Sequence, residues 1–141
     1  MKAKEYFQKA YKAHDKIAAL QEQIADLRGS MVVVKRCASQ ESVQAMQEQD
    51  PVGNAVTDAL DRIAAHESEI DRLQTIIMDA GGAICQIEHE LRRRVMRERY
   101  VYGQEWAEIM RIMEISKPYV FKLHADAMDD MDDVFEFAEA G

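Results

Sequence analysis

The sequence predicts an all-α protein, a long antiparallel helical hairpin of coiled-coil type followed by a C-terminal helix-turn-helix. Three observations predict it: a seven-residue apolar repeat over residues 3–34, the return of that repeat over 56–91, and a shorter, different apolar spacing over 99–131. The expected domains are therefore a hairpin at 1–83 with a loop near 37–53, a helix-turn-helix at 84–131, and an acidic tail at 132–141.

In the first repeat Ala3, Ala10, Ile17, Ile24 and Met31 hold one register position and Tyr6, Ala13, Leu20, Leu27 and Val34 the other. Lys16, Gln21, Glu22, Gln23 and Asp26 fill the polar positions between them. Gly29-Ser30 interrupts the helix formers, so the helix is expected to fray or end there. Residues 37–52 are rich in Ser, Gln and Glu, and Asp50-Pro51-Val52-Gly53-Asn54 follows as a turn signal, which predicts a mobile loop and a reversal of direction.

The repeat then resumes at Val56, Ile63, Ile70, Ile77, Ile84 and Leu91, interleaved with Ala59, His66, Leu73, Ala80 and Ile87. Each arm of the hairpin would be about 45–55 Å long at the helical rise. Gly81-Gly82 falls inside the pattern without shifting the register, which predicts a bend in the helix rather than a separate loop. Ala18, Leu60, Ala64 and Ile76 lie beside the seam, so two arms alone leave apolar surface wet and a dimer of four-helix type is expected.

Residues 84–101 read as a helix carrying Arg92, Arg93, Arg94, Arg97 and Arg99, candidates for contact with phosphates. Gly103 suits its C-terminus, and the next helix is expected to begin near Gln104. Ser116 suits an N-cap and Pro118 an early helical position, so the last helix should start at about Lys117. With Val120 and Leu123 facing inward and Ile115 closing the turn, Ser116, Lys117, Tyr119, Phe121 and Lys122 remain outside. Lys117 and Lys122 suit phosphate or guanine edges, and Tyr119 or Phe121 a sugar or a thymine methyl. Gln104 and Arg111 complete the DNA-binding candidates.

The net charge of -8 is unevenly distributed. Residues 1–91 carry -5, residues 92–125 carry +4 and residues 126–141 carry -7. Only the segment expected to meet DNA is basic, and screening over about 8–10 Å lets such a face act on its own. Asp126, Asp129, Asp130, Asp132, Asp133, Glu136 and Glu139 follow it as a segment that would repel phosphate, with fraying as its expected state.

There is no apolar run of membrane-spanning length, and the amphipathic opening lacks a signal-peptide core, so a cytoplasmic location is expected. Cys37 and Cys85, far apart and without a CxxC partner, are expected to be reduced thiols. His14, His66, His89 and His124 are scattered, the aspartates lack calcium-loop spacing, and no phosphate loop, nucleophile elbow or zinc pattern occurs. The expectation is a binding protein without metal or cofactor, not an enzyme.

Arg99-Tyr100, Gly103, Trp106, Ile109, Ile115-Ser116, Val120, Leu123-His124 and Ala127 stand in an order that resembles region 4 of sigma-70 factors. Met110 and Glu114 depart from the small residue and the turn glycine found in many helix-turn-helix motifs. Together with the Ala3-Lys4-Glu5-Tyr6 opening and the hairpin, nearly the whole chain resembles small phage and prophage proteins of Gram-positive bacteria related to late-gene transcription regulators. That resemblance implies a bacterial host cytoplasm, double-stranded DNA entered at the major groove, and contact with RNA polymerase. The competing expectation is an interaction protein that binds polymerase, a sigma factor or another host protein without reading DNA.

Overall fold

The computed structural model describes residues 2–40 and 51–140, and among them the chain is all-helical, with five α-helices and no strand. They are α1 (Ala3–Gln40), α2 (Pro51–Ile84), α3 (Glu90–Met96), α4 (Trp106–Met113) and α5 (Lys117–Ala140), with a π-helical turn, Arg97–Val101, continuing α3. No helix among the described residues is long and apolar enough to cross a membrane. The central residues of the expected loop near 37–53 lie outside the described residues, while its flanks belong to the ends of α1 and α2.

The chain divides into two compact units, a larger one of residues 1–15 and 73–141 and a smaller one of residues 16–72. This redraws the expected boundary at residue 83, because the first turns of α1 and the last turns of α2 build a common core with α3 and α5. In that core Phe7, Ile84, Met96 and Met131 are fully buried, and Tyr6, Val134 and Phe135 pack at its margin. Rings meet there closely: Tyr6 lies edge-on to both Phe7 and Phe135 with centroids 5.1 Å apart. Burying a side chain such as Phe7 contributes on the order of 3 kcal/mol, which explains why this end of α1 joins the larger unit.

The smaller unit has a leaner interior. Ile24, Ile63 and Ile70 are buried, flanked by half-buried Ile17, Leu20, Leu27 and Met31, in agreement with the seven-residue repeat. Arg28 and Glu67 close an exposed ion pair at 3.1 Å across the two helices. Helix α1 passes through Gly29-Ser30 to Gln40 rather than ending there; no neighbouring atom crowds Gly29, and the surrounding helix formers carry the helix on.

Helix α2 likewise passes through Gly81-Gly82, and stops two residues later at Ile84. The helix expected over 84–101 therefore begins at Glu90 instead. Gln86 and Ile87 bond back three residues, to the carbonyls of Ala83 and Ile84, which tightens and ends the turn. His89 then caps the new helix, its Nδ1 accepting from the Arg92 backbone N–H at 3.3 Å. Ile87 still reaches the core, whereas Leu91, the last residue of the expected register, is exposed.

The acidic segment 132–141 is not a separate tail, since α5 continues to Ala140. Ala127 and Met131 bury one side of this helix, and Asp132 accepts a hydrogen bond from the Ala3 backbone N–H at 3.0 Å. Apolar residues at helical spacing extend the helix through its aspartates.

Candidate nucleic-acid interface

A second cluster positions the first turns of α5. Val95 of α3, Ile109 of α4, and Val120 and Leu123 of α5 are buried together, with Trp106, Met110, Met113 and Ile115 around them. The link between α4 and α5 is short. Glu114 adopts a left-handed conformation at φ 55°, ending α4 where a glycine is the usual solution. Ser116 then caps α5, its Oγ accepting from the Tyr119 backbone N–H at 3.4 Å.

This packing turns the expected residues outward. Ser116, Lys117, Tyr119, Phe121 and Lys122 are all exposed, and Lys117 and Lys122 make no ion pair among the described residues. Phe121 is only partly available, because its ring lies edge-on to Trp106 with centroids 5.1 Å apart. Tyr119 has no such ring contact among the described residues and is 40% exposed.

The other two DNA-binding candidates are engaged locally. Gln104 is half-buried, its backbone N–H donating to the Glu98 carbonyl at 3.0 Å and its own carbonyl accepting from Arg99 at 3.1 Å. Arg111 is exposed but pairs with Glu108 one turn earlier in α4, its Nε donating at 3.1 Å. The bond holds the Glu108 carboxyl below its ordinary range and the guanidinium above its own.

The arginine cluster separates into distinct roles. Arg92 binds two carboxylates of α5, Asp130 at 3.1 Å and Asp126 at 3.5 Å, while its buried Nε has no hydrogen-bond partner. Arg93 donates to the Ile87 carbonyl at 2.9 Å and so fastens the segment before α3. Arg99 lies between two aromatic faces, 3.8 Å from the Tyr11 centroid and 4.5 Å from that of Trp106. Arg94 is exposed and Arg97 half-buried. As phosphate contacts Arg92, Arg93 and Arg99 thus compete with internal partners, which sequence spacing did not reveal.

The same contacts change the acidic balance. Asp126 and Asp130 face Arg92, and Asp132 faces the α1 backbone; Asp129, Asp133 and Glu136 are exposed. These exposed acids lie on the later turns of the helix whose first turns carry the two lysines.

Four residues without an assigned role in the sequence reading organise this unit. Tyr100 is buried with its hydroxyl 2.7 Å from His124 Nε2, and its backbone carbonyl accepts from His14 Nε2–H at 2.9 Å. Burial pushes the Tyr100 hydroxyl up to about 12, against a smaller lowering effect of Arg99, and pushes His124 down to about 4, with Arg99 acting in the same direction. A neutral His124 lets the tyrosine hydroxyl donate to Nε2. The His14 ring covers Gly103, whose φ of 68° and lack of a side chain permit the approach. Phe7, the fourth, stands beside Tyr100 at 5.2 Å between centroids. Tyr100 and His124 were visible within the resemblance motif, but nothing in their spacing announced a hydrogen bond. No family model, no curated protein and no solved structure matches this chain.

Proposed function

We propose that the chain is a DNA-binding transcription regulator of the phage type, acting through a helix-turn-helix made of α4 and α5, with the first turns of α5 as the recognition helix in a major groove. The observation that carries this reading is the outward, unpaired placement of Lys117 and Lys122 around exposed Tyr119, on a helix whose Val120 and Leu123 are buried. Arg94, exposed on α3, is the arginine of the cluster best suited to add a phosphate contact. The resemblance to sigma-70 region 4 adds RNA polymerase as a partner, and the lean interior of the smaller unit favours a homodimer. Action is by binding, in a bacterial cytoplasm, without turnover.

A second reading has its own support. Arg92, Arg93 and Arg99 are held by internal partners, and acidic side chains occupy the distal turns of α5, which favours an interaction protein that binds polymerase, a sigma factor or another host protein without DNA. Binding to double-stranded DNA fragments from the source genome, measured as salt is varied, separates the two. For a DNA reader, Lys117→Ala with Lys122→Ala weakens binding and flattens the dependence on salt by about one unit of slope per lost phosphate contact. Absence of DNA binding at low salt rejects the first reading, and recovery of polymerase by the tagged protein then supports the second.

A further inference from the structure

The smaller unit carries a groove between α1 and α2 whose lining has the chemistry of a helix–helix contact. Its walls are Leu27, Met31 and Val34 of α1 and Val56 and Ala59 of α2, all half-buried, with exposed Asp58 and Arg62 at the rim.

 It encloses about 360 Å³, near the lower end of the roughly 300–1,000 Å³ of small-molecule sites, which bury most of their ligand's surface. Asp58 and Arg62 make no ion pair among the described residues.

The order of residues along this face of α2 is symmetric. Ala55, Asp58, Arg62 and Ala65 share one helical stripe, all exposed, and they are mirrored about residue 60. When the same stripe of a second copy crosses it antiparallel, every aspartate meets an arginine and every alanine an alanine. An isologous contact needs this property, since residue i then meets j while j meets i. The small alanines let the two backbones approach closely. The shared stretch of α2, with the neighbouring turns of α1, is about 28 Å long and about 20 Å wide. Allowing for side-chain relief, that is of the order of the 800 Å² per partner that a stable pair buries.

We propose that the smaller unit is a homodimer interface in which α2 crosses α2 of a second copy antiparallel at residue 60, Asp58 pairing with Arg62 of the other copy in both directions over the groove. This builds on the self-association in the reading above and is independent of DNA.

The test is sedimentation of the full chain at micromolar concentrations, with helicity checked by circular dichroism. The wild type is expected to be dimeric. Asp58→Arg and Arg62→Asp should each weaken the dimer by about tenfold or more, as two attractions become two repulsions, and the double exchange D58R/R62D should restore it. In a Cys37→Ser, Cys85→Ser background, Ala55→Cys with Ala65→Cys should yield a covalent dimer on oxidation, because ten residues of one helix hold the two thiols about 15 Å apart within a copy. A wild-type dimer indifferent to both single reversals, or not restored by the double exchange, overturns this interface alone. A wild type that is monomeric throughout overturns self-association itself.

Discussion

The hydroxyl of Tyr100 stands 2.7 Å from Nε2 of His124, joining the π-helical turn that precedes Gly103 to the helix that presents Lys117 and Lys122. The bond needs a neutral imidazole to accept it from the hydroxyl. Burial supplies that condition by moving the histidine down to about 4.

The sign of the pH dependence follows. In the unfolded chain His124 takes up its proton near pH 6.5, and in the folded chain only near 4. The unfolded state therefore binds the extra proton between these values, and stability from this residue is complete above about pH 6.5 and falls as pH drops toward 4. The loss is on the order of 3 kcal/mol. Chemical denaturation of the wild type between pH 7 and pH 4 should show it, and a His124→Gln variant should give a flatter profile over that window.

Gly103 and Glu114 share a left-handed backbone, yet opposite substitutions are expected to act on them. A Cβ at Gly103 would lie 2.8 Å from His14 Cγ in addition to adopting φ 68°. Gly103→Ala should therefore destabilise by about 2 kcal/mol or more, and combining it with His14→Ala should cost less than the sum of the two single changes. At Glu114, exposed at φ 55°, Glu114→Gly should stabilise by about 0.5–1 kcal/mol by relieving the left-handed strain. Thermal unfolding of the four variants checks both signs.

Phe7→Ala should destabilise by about 3–5 kcal/mol, since the side chain is fully buried against Tyr100 and Phe135. Its effect should not stop within α1. Amide exchange at Tyr100 and Met131, which share its core, should accelerate together. Acceleration confined to residues 3–15 would contradict a common core.

Arg92→Met leaves Asp126 and Asp130, one turn apart on α5, without their shared cation. The expected loss is about 1 kcal/mol at low salt, since the groups are partly exposed and screened. In 1 M salt, where the Debye length shrinks to about 3 Å, most of the difference from wild type should vanish.

Helices with one apolar stripe and simple partners were legible in the sequence. Ile24, Ile63 and Ile70 interlock as their seven-residue spacing predicts, and the Ser116 cap, the start at Lys117 and the inward Val120 and Leu123 follow from local rules. What spacing did not convey was how many neighbours an element would have. Phe7 lies off the two-helix seam because several helices surround that part of α1, which widens its buried face to Ala3, Phe7 and Ala10. The roles of Arg92 and Arg99 were hidden for a related reason: their partners, Asp130 and Tyr11, stand far away in sequence. The end of α2 at Ile84 falls two residues past Gly81-Gly82, whose unbroken register suggests a bend, and it is the His89 cap that starts a new helix beyond it.

The core that joins Phe7 to Met131 also dictates an order of events during synthesis. Residues around Phe7 leave the ribosome before α5 exists, so the sides of Phe7 and Tyr6 that meet Phe135 stay uncovered until the last helix emerges. Local pairing of residues 16–72 can proceed meanwhile, whereas closure of the larger unit requires contacts more than a hundred residues apart, which loop-closure entropy makes slower to form.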